Sequence, residues 1–118
     1  MAIVGVGIDV VDFQRFAQTI DRTPNFINRV FTPYERGLKL SSQAARFAAK
    51  ESLAKALNAK EPFNWQEVEI ANEETGKPYM IFSGSMKERM KRYSVNLSLS
   101  HDGAIASAVV ILEINVGE

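Results

Sequence analysis

Two carboxylates and a group of cations are the residues of this 118-residue chain best suited to chemistry. Glu51 lies in the stretch Ala44–Leu57, AARFAAKESLAKAL, with Arg46, Lys50 and Lys55 around it. Asp9 follows the apolar run AIVGVGI. A carboxylate flanked by cations suits a divalent metal surrounded by phosphate, because the acid holds the metal and the bases balance phosphate charge. The same pattern suits a solvated helix in which Glu51 and Lys55 form an i,i+4 ion pair. Asp9, an acid after an apolar strand, must be paired, hydrogen-bonded or metal-bound if it is buried. These residues alone leave both readings open.

The elements that would position them can be read from pattern. Ala44–Leu57 is rich in Ala, Leu, Lys, Glu and Arg and has no Gly or Pro, so it is the strongest helix of the chain. With about 100° per residue, Ala45, Ala48, Ala49, Ser52, Leu53 and Ala56 form a small-residue face. Arg46, Lys50, Glu51 and Lys55 occupy the opposite arc, with Phe47 and Ala54 in its middle. A water-facing arc would be polar throughout, so this one is expected to be covered. Residues 2–8 read as a buried strand whose Gly5 and Gly7 let another backbone come close, with Asp9 at its end. Asp12 reads as the N-cap of a helix carrying Phe13, Phe16, Ala17 and Ile20. Arg15 lies on that helix's polar side, and Arg22 just past its end. Pro24 opens a short segment that packs Phe26, Ile27 and Val30, with Arg29 between them. Thr32-Pro33-Tyr34-Glu35 is a capping box with Pro in the first turn, which is sufficient explanation for Glu35. Gly37 and Ser41-Ser42 break the run before the central helix.

The second half reads as a loop over 59–64, a strand over 65–71, a polar turn (NEETGKP) and a strand over 79–82, together a hairpin. The Gly76-Lys77-Pro78 tip can bring a backbone amide and an ammonium to a phosphate, although many ordinary turns look the same. Residues 83–93 form an amphipathic helix, with Met86, Met90 and Tyr93 on one side. VNLSLS at 95–100 is an alternating strand, and His101-Asp102-Gly103 turns into an apolar strand over 104–114 buried on both sides. The order is strand, three helices, hairpin, helix, hairpin. That is an α+β fold, a largely antiparallel sheet packed with a long central helix, in one domain over residues 1–118.

Composition excludes several classes. There is no cysteine and one histidine, which removes disulfides, thiolate or multi-histidine metal sites and a cysteine nucleophile. Any metal is therefore held by oxygen, as Mg²⁺, Mn²⁺ or Ca²⁺ would be. Residues 1–60 carry nine Lys and Arg against five Asp and Glu, and residues 61–118 reverse this. A basic N-terminal half suits an acidic or phosphorylated partner. It is too weak a bias for nucleic acid, and no aromatic–basic interleaving supports one. No apolar run spans a bilayer and no signal peptide is visible, so a cytoplasmic protein is expected.

GVGIDVVD, FTPYE, ARFAAKESLAKAL, GKPY and SLSHD occur in this order. Together they closely resemble the holo-acyl-carrier-protein synthase family, the small bacterial phosphopantetheinyl transferases, from Ile3 to about Leu112. The resemblance implies transfer of 4′-phosphopantetheine from coenzyme A to a serine of apo acyl carrier protein, releasing adenosine 3′,5′-bisphosphate. It implies that Asp9 and Glu51 bind Mg²⁺, which bridges them to the CoA pyrophosphate, and that Lys55 stabilises the leaving phosphate. Lys50 and Arg46 would contact the remaining CoA phosphates. Gly76, Lys77 and Pro78 match the turn that lines the nucleotide site, and Ser100 and His101 the strand end that closes over the phosphates. Glu51 itself and a water on the metal are the two candidates for the base. The family is a homotrimer with shared active sites, so a second chain would cover Phe47 and Ala54, and Lys77 or His101 could come from a neighbour. Arg15 and Arg22 match the basic helix that docks the acidic carrier protein.

Two departures stand out. The segment between Glu35 and Arg46 is shorter than in many relatives, leaving only Arg36 and Lys39 for the 3′-phosphate. Asn25 falls where some relatives carry Arg. Other classes remain open on the sequence: a non-catalytic CoA- or nucleotide-binding module, against which the presence of both carboxylates counts, and an oligomerisation domain.

Overall fold

The computed structural model describes residues 1–58 and 62–114. The chain runs β1 (Ala2–Asp12), α1 (Phe13–Arg22), α2 (Phe26–Val30), α3 (Pro33–Arg36) and α4 (Leu40–Ala56). A 3-10 turn (Trp65–Glu67) then leads to β2 (Val68–Asn72), β3 (Pro78–Phe82), α5 (Gly84–Met90), β4 (Tyr93–Asp102) and β5 (Ile105–Ile114). Instead of one sheet there are two, both antiparallel: β1-β5-β4 and the hairpin β2-β3. No helix among the described residues is long and apolar enough to cross a membrane.

Several boundaries move from their expected places, each for a local reason. β1 pairs with β5 as far as Asp12, so Asp9 lies inside the strand and not at its end. Asp12 caps α1 as expected, its carboxylate accepting from Arg15 N at 2.9 Å. The segment after Pro24 is a helix, α2. α4 starts at Leu40, and Ser41-Ser42 sit in its first turn; Gln43 donates to the carbonyls of Glu35 and Arg36, joining α4 directly to the end of α3. β4 runs on through His101 to Asp102 because Gly103, at φ 55, begins a two-residue turn. The first three residues of the loop expected over 59–64, and residues 115–118, lie outside the described residues.

α4 lies across β1 and β5. A Cβ on Gly7 would overlap the Ser52 carbonyl, and one on Gly5 the Ala56 carbonyl, so only glycine permits this approach. Ala44, Ala48, Ala49, Leu53 and Ala56 of α4 bury against Ala108, Val110 and Leu112 of β5. Ser52 Oγ lies 3.0 Å from Ala108 O and 2.8 Å from Ala48 O, so its one proton is shared between strand and helix. The other face of β5 is not buried but half-exposed, with Val109 and Ile111 beside the exposed Val6 and Ile8 of β1.

A buried ion pair joins the smaller elements. Glu35 closes its capping box by accepting Thr32 N at 3.0 Å, but its carboxylate does more than cap. Oε1 also takes Lys50 Nζ at 2.6 Å and Oε2 takes Ile70 N at 2.9 Å. Lys50 gives its other protons to Val30 O at 2.7 Å and Trp65 O at 3.1 Å. Both side chains are fully buried. Burial pulls the Lys50 pKa down, and the Glu35 charge opposes that pull. Arg46 donates from Nε to Ile70 O at 3.0 Å, so Glu35 and Arg46 together satisfy the free backbone edge of β2 as a neighbouring strand would.

Removing one member of such a pair strands the other charge without water. Lys50→Met is expected to lower unfolding free energy in urea by about 3–5 kcal/mol. An unchanged midpoint would contradict this reading.

Candidate active site

Alternation along β1 turns Gly7, Asp9 and Val11 toward α4 and Val6, Ile8 and Val10 away from it. Glu51 and Lys55, one turn apart on α4, meet Asp9 where helix and strand cross. Lys55 Nζ donates to Asp9 Oδ1 at 3.1 Å and to Ile8 O at 2.9 Å. An ammonium has three protons, and the third has no acceptor among the described residues. These three side chains line a cleft of about 360 Å³ with Arg15, Thr19 and Phe47.

Glu51 is the electrostatically perturbed member. Partial burial raises its pKa above the usual carboxylate range, the charge of Asp9 raises it further, and Lys55 opposes both. The cleft thus holds two acids whose charges repel, with Lys55 bonded to Asp9 and acting on Glu51 only through its charge.

The four charged residues expected on one arc of the central helix divide in two. Glu51 and Lys55 face the cleft. Arg46 and Lys50 turn inward, and Lys50 has no proton left for a phosphate. The expected CoA contact from Lys50 is therefore corrected: it is an internal tie. Arg46 is also buried, donating to Ile70 O, Ser42 O and, at 2.8 Å, Asn72 Oδ1, which engages three of its five N–H groups. Nor does Phe47 need a second chain to cover it. Its ring packs against Phe16, Phe26 and Trp65 at 5.4–6.0 Å between centroids.

The remaining candidates lie elsewhere in the single chain. Lys77 and Pro78 line a separate cleft of about 410 Å³, between β3 and β4. Gly76, at φ 92, forms the turn beside it. Ser100 and His101 are exposed on opposite faces of β4, Ser100 across from Ser107 and His101 across from Ala106. None of the five lines the Asp9–Glu51 cleft. Arg15 does, and Arg22, exposed and two helical turns further along, shares its face of α1.

Arg29 was given no role from sequence. It lies with Phe26, Phe47 and Trp65 on a second cleft of about 260 Å³ that shares Glu51 with the first. A signal was there, since Arg15, Arg22 and Arg29 recur every seven residues. The intervening Pro24 hid it.

Comparison with known proteins identifies the family. The family model of the 4′-phosphopantetheinyl transferase superfamily matches residues 5–110. A holo-[acyl-carrier-protein] synthase of Frankia alni is 45% identical over 117 residues, covering 96% of this chain and 99% of the relative. The solved acyl carrier protein synthase of Mycobacterium tuberculosis is 35% identical with a TM-score of 0.80, covering 97% of this chain and 100% of that one. A holo-(acyl-carrier-protein) synthase of Bacillus anthracis, solved in complex with CoA (3′,5′-ADP), is 34% identical with a TM-score of 0.79, covering 96% and 98%. By its sequence, its fold and these full-length matches, the chain belongs to the 4′-phosphopantetheinyl transferase superfamily, among the holo-[acyl-carrier-protein] synthases.

Proposed function

We propose that the chain transfers the 4′-phosphopantetheine group of coenzyme A to a serine of apo acyl carrier protein in the cytoplasm, with Mg²⁺ at Asp9 and Glu51. The observation that carries this reading is the convergence of Asp9, Glu51 and Lys55 on one cleft. The donor set fits a hard cation. Two neighbouring carboxylates, one with its pKa raised by burial and by the other's charge, gain from a shared positive ion. Among the described residues no group of three or more acids or imidazoles offers a competing cage. Two protein oxygens leave room for phosphate and water, which Mg²⁺ retains. When bound, the cation supplies neutralisation of the pyrophosphate charge that grows during transfer.

In that reaction the serine oxygen bonds to the β-phosphorus of CoA. The bond from that phosphorus to the bridging oxygen breaks, and adenosine 3′,5′-bisphosphate leaves. Lys55 fixes Asp9 and has one proton for a phosphate oxygen. Glu51, whose affinity for a proton is raised, can accept the serine proton. Arg15 and Arg22 present a basic face to an acidic carrier, and Arg15 brings that face to the edge of the cleft.

The reading includes a homotrimer. Val6, Ile8 and Val10 are each more than half exposed on the outer face of β1, which suits cover by a second copy. A neighbour could then bring Gly76, Lys77, Pro78, Ser100 or His101 to a cleft that they do not reach within their own chain.

Apo acyl carrier protein incubated with the protein and CoA is expected to gain one phosphopantetheine by intact-mass spectrometry when Mg²⁺ is present and none in EDTA. Glu51→Gln should slow the transfer roughly a hundredfold or more, and a normal rate would sink the mechanism. The raised Glu51 pKa also sets a sign for stability. The folded state holds this proton more tightly than the unfolded chain, so its contribution is fullest below the ordinary carboxylate range. That contribution is lost as pH rises through the folded pKa. Metal-free Glu51→Gln should therefore melt progressively higher than wild type as pH goes from acidic to neutral, and a constant difference would refute the shift. Sedimentation should give wild type the mass of three chains and Ile8→Glu that of one; a monomeric wild type would remove the trimer.

A further inference from the structure

The turn that carries Gly76, Lys77 and Pro78 is tied to α4 through one side chain. Asn72 ends β2 opposite Pro78. Its Oδ1 accepts from Arg46 Nη2 at 2.8 Å, and its Nδ2 donates to Gly76 O at 2.9 Å. A guanidinium can only donate, so it must face the amide oxygen, and this leaves the amide nitrogen for Gly76. Arg46 is itself held by Ile70 O and Ser42 O and is 6% exposed. A fixed arginine on the helix of Glu51 and Lys55 thus orients an amide, and the amide orients a peptide group.

That peptide group has a definite outer side. A trans peptide points its C=O and N–H in opposite directions. With the Gly76 carbonyl held by Asn72, the Lys77 N–H faces away from Asn72, and it has no acceptor among the described residues. The rest of the turn does not enforce this. Gly76 N bonds Glu73 O at 2.8 Å and Glu73 N bonds Lys77 O at 2.9 Å, which closes the loop but leaves the 76–77 plane unbound. Nothing lies within 4 Å of where a Gly76 Cβ would be, so no packing holds this corner. Asn72 supplies the hydrogen bond that sets the tilt of the plane.

We infer that Asn72 is a positioning residue for the nucleotide half of coenzyme A, fixing the Gly76–Lys77 peptide so that the Lys77 N–H and ammonium meet the ligand from one side. The inference rests on the proposed reaction and its trimer, and adds a residue to the binding site. Arg46 then also serves the ligand through Asn72.

Two variants separate the bonds. Asn72→Asp keeps an acceptor for Arg46 but sets a carboxylate oxygen against the Gly76 carbonyl; Asn72→Ala removes both contacts. Each is expected to raise KM for CoA about fivefold to tenfold, the scale of one lost hydrogen bond, with kcat within about twofold and KM for the carrier protein unchanged. Calorimetry with adenosine 3′,5′-bisphosphate should weaken by the same factor. The Lys77 amide resonance, shifted by that nucleotide in wild type, should respond less in both variants. Unchanged CoA KM and nucleotide affinity in both, or a fall confined to kcat, would overturn the role of Asn72. If wild type binds the nucleotide but transfers nothing, the proposed reaction fails. The nucleotide affinities then decide Asn72 alone, with equal values overturning it and the expected loss supporting it.

Discussion

The Glu35–Lys50 pair is the constraint on which the arrangement depends. Its hydrogen bonds reach the end of α2, the start of α3, the turn at Trp65 and the edge of β2, all from the middle of α4. Two charges without water are stable only if their protons and oxygens find partners, and here all three Lys50 protons and both Glu35 oxygens do. It also fixes the rotation of α4 about its axis. Glu51 follows Lys50 by about 100° around the helix. With Lys50 locked inward, Glu51 is held at the rim where β1 crosses.

The same helix marks how far the sequence could be read. The cap at Asp12, the capping box at Thr32 and the close approach at Gly5 and Gly7 are local rules, and all of them hold; the burial expected of residues 2–8 does not, because Ile3, Val4, Val6 and Ile8 are exposed. A helical wheel also assigns angles correctly, but it cannot say what stands opposite each angle. Arg46 and Lys50 differ from Glu51 and Lys55 by enough rotation to meet different neighbours, and those neighbours, β2 and α3, come from elsewhere in the chain. Phe47 looked like a hydrophobic intruder on a charged arc for the same reason, since Phe16, Phe26 and Trp65 are distant in sequence. Serines 41 and 42 suggested a break because serine favours helix ends, and they do sit in a first turn. The Gln43 contacts to α3 determined that the helix had already begun.

The cleft also shows the tension common at reactive sites. Burial and the charge of Asp9 raise the Glu51 pKa, and Lys55, which donates to Asp9 and to the Ile8 carbonyl, opposes them. A fold built only for stability would place an amide or an apolar group there. A carboxylate kept there despite its burial and its acidic neighbour is the pattern found at functional sites.

Gly5 and Gly7 bring backbone against backbone, with no side chain left to compress. The gap between β1 and α4 is therefore a hard stop, and the spacing of Asp9 from Glu51 inherits its stiffness. Side chains in the cleft can change rotamer, but the two backbones that carry them keep one separation. Two residues that carry no functional group would then act as the gauge of the site.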